Sequence, residues 1–478
     1  MRPPLTDPAP PPVADAPPPR AFAPLGDPTF RMLWLAWVAA NTCMWMNDVA
    51  AAWLMTSLST SPVLVALVQS ASTLPVFLLG LPSGALADIL DRRRYLVFTQ
   101  FWVAGVAVVI ALVVASGAMS ARLLLLLTFV NGVGLAMRMP VFAAIVPTLV
   151  PREQLPAAIA LNGVAMNASR IVGPIVAGAL LASFGSVYVF MLNAALSVMS
   201  GVIVLRWKHQ PKPSALPGER FLGAIRVGVQ YVRRSERMRT VLLRAALFFL
   251  QSTAVIALLP LVARGFRTGH DAQAYTLLLA SMGVGAILAA WLLPRLRQKY
   301  SLDQLVRDGS LVQAAATLVI AFAPNVWTAV PAMVAVGTSW MAAANTLSVS
   351  AQLALPDWVR ARGMSIHQTS MMGGSALGAA VWGQVASLTS IRTSLVAAAA
   401  TGLAILVLAR RLTLSGIAEE DFTPSHTLAP PTATLAFEPS AGPVLVTIEY
   451  RIDPERAAEF REVMRESRSR RLRNGAGR

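Results

Sequence analysis

The sequence has few of the residues from which soluble catalytic and metal sites are built. Of 478 residues, one is a cysteine, four are histidines and 13% are charged. Cys43 alone cannot form an intramolecular disulfide or a thiolate zinc site, and the histidines are scattered along the chain. There is no phosphate-cradling P-loop, which argues against ATP as an energy source. We therefore expect no enzyme, no cofactor and no metal.

Hydrophobic residues make up 55% of the chain and the mean hydropathy is strongly positive. A soluble enzyme of this size is excluded by that composition. The net charge of +17 would indicate a nucleic-acid partner only if the basic residues were gathered on a soluble surface. They lie between apolar segments instead, so the sequence predicts a lipid bilayer as partner and no nucleic acid.

Twelve apolar segments follow one another, each near the ~20 residues that a helix needs to cross the hydrocarbon. Long continuous runs favour helices over the alternating strands of a membrane barrel. The sequence thus predicts an all-α membrane protein with twelve transmembrane helices. The predicted segments are 32–57, 63–87, 95–116, 122–146, 157–182, 187–206, 240–263, 273–293, 304–323, 326–350, 363–388 and 392–411.

Basic residues are concentrated in the breaks on one side of these segments, which we call the basic side. The opposite side holds only Arg122, Arg264, Arg267 and Arg392. Because cytoplasmic loops are enriched in arginine and lysine, both termini are predicted to be cytoplasmic. The basic side holds Arg92, Arg93, Arg94, Arg152, Arg206, Lys208, Lys212, Arg220, Arg226, Arg233, Arg234, Arg237, Arg239, Arg295, Arg297, Lys299, Arg360 and Arg362.

An internal repeat emerges when the chain is shifted by 205 positions. Gly80 then aligns with Gly285, Gly132 with Gly337 and Gly173 with Gly378, among others. The shift predicts two parallel six-helix halves related by a pseudo-two-fold axis along the membrane normal. The predicted halves are residues 29–206 and 240–411, joined by a cytoplasmic linker at 207–239.

Both ends of the chain differ in composition from these halves. Residues 1–28 are proline-rich and expected to be a disordered tail without a secretion signal. After a linker at 412–443, Val444 to Tyr450 is typical of a strand, and Asp453, Pro454 and Glu455 are typical of a helix start. One strand and one helix cannot form a core, so residues 444–478 are predicted to be a short α/β extension.

The break after the second segment contains Gly84, Asp88, Asp91, Arg92, Arg93 and Arg94. It resembles the loop signature of the major facilitator superfamily (MFS), in which such a cluster latches one half against the other. A glycine permits close helix packing, and an aspartate can sit at the positive end of a neighbouring helix. Ile89 and Asp91 depart from the common pattern, and a plain positive-inside loop is the alternative.

The fifth segment contains Ala160, Ser169, Gly173, Pro174 and Gly178. Their spacing is similar to the antiporter motif of drug-exporting members of that superfamily, with several glycines replaced. Small residues permit close packing and a proline permits bending, so the segment is predicted to flex between the halves. Ordinary small-residue packing is the alternative.

Two ionisable residues lie near the predicted midplane, Asp48 and Arg170. Charges in hydrocarbon are costly, so both are candidates for proton coupling. The alternatives are a fixed structural ion pair or a position of Asp48 near the outer surface. Arg138, Arg244 and His367 are close enough to cytoplasmic ends to reach water.

Uncharged polar residues concentrate in segments one, two, four, five, seven, ten and eleven, as expected if these segments face a wet cavity. Trp45, Trp53, Trp340, Met371 and Met372 can add an apolar lining, although aromatic-belt or core packing is the alternative. The candidate lining residues are Asn41, Asn47, Gln69, Asn131, Asn167, Gln251, Asn345, His367 and Gln368.

Residues Phe30 to Arg411 as a whole resemble an MFS transporter of the bacterial transmembrane secretion effector branch, related to enterobactin exporters. The resemblance is most evident in Pro147 to Pro174 and Leu355 to Gly383. It implies proton-coupled export of small organic molecules across the inner membrane by a monomer, without a cofactor. It also implies that 444–478 is a truncated ferredoxin-like, monooxygenase-like extension. The alternatives are an MFS importer and a membrane-anchored partner of a biosynthetic enzyme.

Overall fold

The computed structural model describes residues 22–207, 221–266, 271–408 and 450–473. These residues form fourteen α-helices and short 3-10 turns, and no strand is found among them. The helices are α1 (Pro28–Leu58), α2 (Pro62–Ile89), α3 (Arg92–Ala115), α4 (Ala121–Leu149), α5 (Leu155–Ser183), α6 (Ser186–Arg206), α7 (Phe221–Arg234), α8 (Glu236–Gly265), α9 (Asp271–Lys299), α10 (Leu302–Ala321), α11 (Val326–Leu353), α12 (Asp357–Leu388), α13 (Ile391–Leu408) and α14 (Ala457–Arg473).

Polar residues at the helix starts explain where several helices begin. The side chain of Asp27 accepts a hydrogen bond from the Phe30 amide at 2.8 Å and caps α1. Ser301 and Gln304 form a reciprocal capping box on α10. Each cap satisfies amide groups that the helix itself leaves unpaired. Gly185 lies between α5 and α6 with φ of 91°, a conformation that other residues rarely adopt.

Every predicted apolar segment overlaps one of twelve helices, α1 to α6 and α8 to α13. Nine helices within the described ranges are long and apolar enough to cross a membrane. The other three are α1, α10 and α12. They carry polar residues near or within the span, such as Asp48 in α1, Asp303 in α10 and Arg360 in α12.

Helix α7 was not predicted, because it lies inside the expected linker at 207–239. It is amphipathic: Tyr231 and Val232 are buried, whereas Arg226, Arg233 and Arg234 are exposed. The Tyr231 hydroxyl donates to the Ala354 carbonyl at 3.3 Å, which fixes the helix to the end of α11.

The predicted α/β character of the C-terminal extension is not found in the part of the chain that the structure describes. Residues 444–449 of the predicted strand lie outside that part, as do the proline-rich tail up to residue 21 and the linker at 412–443, and Tyr450 is not in a strand. The predicted helix is present as α14. Asp453 caps the turn that precedes it, and the Tyr450 ring contacts Phe460 at 5.4 Å.

Helix packing follows the internal repeat. In the first half α2 packs along α4 and α3 along α6, and in the second half α9 packs along α11 and α10 along α13. The repeat pair Gly132 and Gly337 occupies equivalent close approaches. A Cβ atom on Gly132 would lie 2.8 Å from the Ser72 carbonyl oxygen, and one on Gly337 would lie 1.9 Å from that of Met282. The duplicated sequence therefore forms a duplicated packing arrangement.

The two halves meet through α2 with α12 and through α5 with α9. On the side opposite the basic loops, the Arg264 guanidinium donates to the Thr56 carbonyl, and Trp53 stacks on Tyr275 with centroids 5.7 Å apart. Apolar side chains on the outside of the bundle are exposed, as expected for a surface that faces lipid. Examples are Leu112, Leu126, Trp291, Val319 and Val407.

Candidate functional site

Arg170 on α5 lies between two indole rings that belong to different halves. Its guanidinium carbon is 5.1 Å from the ring centroid of Trp45 on α1 and 4.2 Å from that of Trp340 on α11. Its Nη1 also contacts the Met341 sulfur at 3.8 Å, while its Nε has no hydrogen-bond partner. Since a guanidinium is attracted to an aromatic face, this side chain links the halves at the centre of the molecule.

Close packing between α5 and α1 positions Arg170. A Cβ atom on Gly173, one turn further along α5, would come within 2.6 Å of the Trp45 Cβ. Ser169 Oγ donates to the Val38 carbonyl at 3.1 Å and accepts from Thr42 Oγ1 at 3.2 Å. The predicted small residues therefore place Arg170 over the Trp45 ring.

The rest of the helix-five motif reaches the other half. Gly178 faces α9, where an added Cβ atom would lie 2.0 Å from Thr276 Oγ1. Pro174 is buried inside the helix, whereas Ala160 is exposed and takes no part in these contacts. The motif thus serves small-residue packing at an inter-half contact, and its predicted bending stays a prediction.

Asp48 lies one helical turn from Trp45 on α1 and is partly buried. Its Oδ1 accepts a hydrogen bond from Ser72 Oγ of α2 at 2.8 Å. In the described part of the chain no ion pair joins Asp48 to Arg170 or to another cation. The alternative of a fixed Asp48–Arg170 ion pair is therefore not formed in this structure.

Three of the candidate lining residues form hydrogen bonds within their own half. The Asn41 amide donates to the Trp37 carbonyl at 2.8 Å, and Asn47 accepts from Asn193 of α6 at 3.4 Å. Asn345 accepts from Arg297 at 2.6 Å.

Other candidates lie as follows. Gln251 is buried against Gly402 of α13, and Asn131 is buried in α4. Gln69 and Gln368 are partly buried, and the side chain of Asn167 lies outside the described part. A cavity-lining role for this set stays a prediction.

The predicted latch is described only in part. Asp91 accepts from the Arg94 amide at 2.8 Å and so caps α3, and Arg93 donates to the Leu205 carbonyl at the end of α6. Arg92 is partly buried, and Arg94 is exposed. The surroundings of Gly84 and of the Asp88 side chain lie outside the described part, so the latch between halves stays a prediction.

The expectation that Arg138, Arg244 and His367 reach water was wrong. Arg138 is 3% exposed, and its Nη1 donates to the Ala40 carbonyl at 3.0 Å. His367 is 1% exposed and contacts Ser348 at 3.4 Å, and buried Arg244 pairs with Asp303. Arg138 lies three turns from the end of α4, about 16 Å, which is too far for its side chain to span. Counting residues to the helix end would have identified it as buried.

A sequence profile described as transmembrane secretion effector matches residues 19–478. The chain belongs to this family. The MFS resemblance expected from the loop and helix-five motifs is thereby confirmed. No group of three or more His, Cys, Asp or Glu residues that could hold a metal occurs among the described residues.

Curated relatives of this chain carry transporter names. It is 29% identical over 50% of its length to an uncharacterised MFS-type transporter, YfiS, of Bacillus subtilis, of which 57% is covered. It is 21% identical over 58% of its length to the staphyloferrin A transporter of Staphylococcus aureus, of which 70% is covered. It is 21% identical over 50% of its length to macrolide efflux protein A of Streptococcus pyogenes, of which 60% is covered. The chain therefore spans somewhat more than half of the relatives that it matches.

Solved structures support the same fold. A bacterial homologue of the human lysosomal transporter Spinster superimposes with a TM-score of 0.66 at 16% identity, covering 81% of this chain and 98% of that chain. The nucleoside transporter NupG gives a TM-score of 0.65 at 13% identity, covering 80% and 99%. At these identities the likeness establishes the fold alone.

Proposed function

We propose that this chain is a proton-coupled exporter of small organic molecules in the bacterial cytoplasmic membrane. In this proposal twelve helices, α1 to α6 and α8 to α13, span the bilayer as two halves of a monomer, and both termini are cytoplasmic. The observation that carries the proposal is the contact of Arg170 with Trp45 in one half and Trp340 in the other. The geometry of a site that is formed by both halves changes when one half moves against the other.

The packing of the halves supports access from the basic, cytoplasmic side. On the opposite side Arg264 with Thr56 and Trp53 with Tyr275 hold the halves together. On the basic side α4 and α5 make no extensive contact with α11 or α12 within the described residues. Export then requires the contacts on the outer side to part and the halves to close on the basic side, where the predicted latch at Gly84 to Arg94 is placed.

Asp48 is the proposed proton carrier. It shares one face of α1 with Trp45, since residues three apart are neighbours on a helix. Its hydrogen bond from Ser72 is available to both the charged and the neutral carboxyl group. One proton moving through 100 mV supplies ~2.3 kcal/mol. A tenfold substrate gradient costs only ~1.4 kcal/mol, so one proton per substrate is sufficient.

The two indoles suggest which substrates fit. They hold the guanidinium of Arg170, so an organic molecule with a cationic or planar group can take its place between them. The names of two relatives refer to staphyloferrin A and to macrolides, which supports transport of organic molecules.

Export is tested by expressing the chain in a bacterial strain that lacks its own macrolide exporters. We expect cells to accumulate less of a labelled macrolide, and a protonophore to abolish the difference. The Trp340→Leu variant should accumulate more than wild type, whereas Trp327→Leu, which removes a 75% exposed indole from the same helix, should not. Greater accumulation with wild type than without the chain would instead favour import.

A further inference from the structure

A small cavity lies inside the N-terminal half, between α1, α3, α4 and α6. Its lining includes Cys43, Asn131, Arg138 and Asn193, and its volume is about 10 Å³. Cys43 and Trp45 project from opposite sides of α1, since two residues are separated by about 200° around a helix. The cavity is therefore distinct from the Arg170 site between the halves.

Arg138 has hydrogen-bonding capacity that the protein does not use. It is 3% exposed, and among the described residues its Nη1 bonds the Ala40 carbonyl while Nε and Nη2 have no partner. The Trp37 ring lies 5.5 Å from the guanidinium carbon and offers only a weak attraction. An arginine does not lose its proton in a protein, so this cation is buried with two unpaired donors.

No carboxylate among the described residues neutralises that charge. Asn131 lines the same cavity and its Oδ1 has no hydrogen-bond partner. Oxygen and nitrogen of an amide are interchangeable by rotation, so Asn131 can present its NH₂ group to the cavity. The Asn193 amide is already engaged with Asn47 and Ser197. Uncompensated buried charge is strongly destabilising, which favours an anion at this position.

The size of the cavity restricts that anion. About 10 Å³ is close to the room that a single water molecule requires. The cavity is partly open, and a monatomic ion can be accommodated in its water-sized space with small side-chain shifts, whereas a bulky organic substrate requires far more room. We propose that this cavity binds one small inorganic anion, chloride in the cell, which neutralises Arg138 and is held by Arg138 and Asn131.

The binding is tested on the purified full chain in detergent by measuring its melting temperature as chloride replaces gluconate at constant ionic strength. Gluconate is too large for the cavity. We expect a saturable rise of a few degrees, and the same rise with bromide. A melting temperature that does not change, or that changes without saturation, would show that the cavity holds water only and would overturn the proposal.

Two substitutions connect the effect to this cavity. Asn131→Asp places a carboxylate beside Arg138, so this variant should fold and no longer respond to chloride. Arg122→Gln removes an exposed arginine from the same helix and should respond as wild type does. An Asn131→Asp protein with the wild-type response would contradict the proposal. A third variant, Arg138→Gln, should also lose the response; if it fails to fold, the comparison of Asn131→Asp with wild type still tests the proposal.

Bromide also provides a direct view of the site. Crystals grown in bromide should show an anomalous peak within hydrogen-bond distance of the Arg138 guanidinium. A peak at other positions with none in this cavity would overturn the assignment.

Discussion

The guanidinium of Arg170 lies 4.2 Å from the ring centroid of Trp340, although the two residues belong to opposite halves of the molecule. The same guanidinium lies over Trp45 of its own half. Relative motion of the halves must therefore change the surroundings of Arg170. Under the proposed function, a substrate that enters between the indoles would compete with this cation, which would couple substrate binding to the contact between halves.

Loss of either indole should weaken substrate binding. A cation–π contact is worth about 0.5–2 kcal/mol, so Trp45→Leu or Trp340→Leu should raise the half-saturating macrolide concentration about 2- to 30-fold. The measurement is concentration-dependent transport in proteoliposomes, with Trp327→Leu as the matched control. Equal half-saturating concentrations for wild type and both variants would show that the indoles are not part of the substrate site.

The approach of α5 to α9 should depend on the absence of a side chain at position 178. A Cβ atom there would lie 2.0 Å from Thr276 Oγ1, so Gly178→Ala should reduce both melting temperature and transport. Adding Thr276→Ala should restore part of the loss, because it removes Oγ1 and Cγ2, the two nearest colliding atoms, and leaves only the Cβ at 2.5 Å.

The matched control for this pair is Gly163→Ala on the same helix. A Cβ atom at Gly163 meets nothing within 4 Å, so that variant should behave as wild type. If Gly178→Ala and Gly163→Ala are equally harmless, the inter-half contact at this position is looser than the structure shows.

Asp91 should contribute to stability as a helix cap. Because its carboxylate accepts from the Arg94 amide, Asp91→Ala should cost about 0.5–2 kcal/mol, whereas Asp91→Asn keeps an acceptor and should cost little. Melting temperatures of both variants check this. A loss of transport in Asp91→Asn at unchanged melting temperature would instead indicate the latch function predicted from the loop motif.

Deletion of the segment that contains helix α14 distinguishes an exporter from an anchor for a biosynthetic enzyme. An exporter lacking residues 440–478 should keep most of its transport, because the proposed site lies entirely within α1 to α13. Macrolide accumulation in cells that express the shortened chain measures this. A complete loss, with normal amounts of the shortened protein in the membrane, would favour a role for the tail.

Sequence reasoning was effective where a pattern along the chain is sufficient to predict a structural feature. Apolar length located twelve helices, and the cost of intramembrane charge identified Asp48 and Arg170, although their roles are untested. It did not identify Trp45 and Trp340 as the partners of Arg170, because only folding brings these helices together. It also could not show that Asn47 faces Asn193 of α6, since the orientation of a polar side chain in a nearly uniformly apolar helix depends on tertiary packing.

Helix α7 was missed for a related reason. Its apolar residues are too few for a membrane span, and the surrounding arginines suggested a linker. Its amphipathic pattern is present in the sequence and could have identified a helix, but only the structure shows that its apolar face packs at the end of α11, where Tyr231 bonds Ala354.

The most direct test of the account is proton movement driven by substrate in proteoliposomes that contain a pH-sensitive dye. Addition of a macrolide should move protons across the membrane with wild type and with Asp308→Asn, which alters an exposed carboxylate paired with Arg307. Asp48→Asn should bind substrate but move no protons. Macrolide transport that is insensitive to an imposed pH gradient, and equal in wild type and Asp48→Asn, would contradict proton coupling.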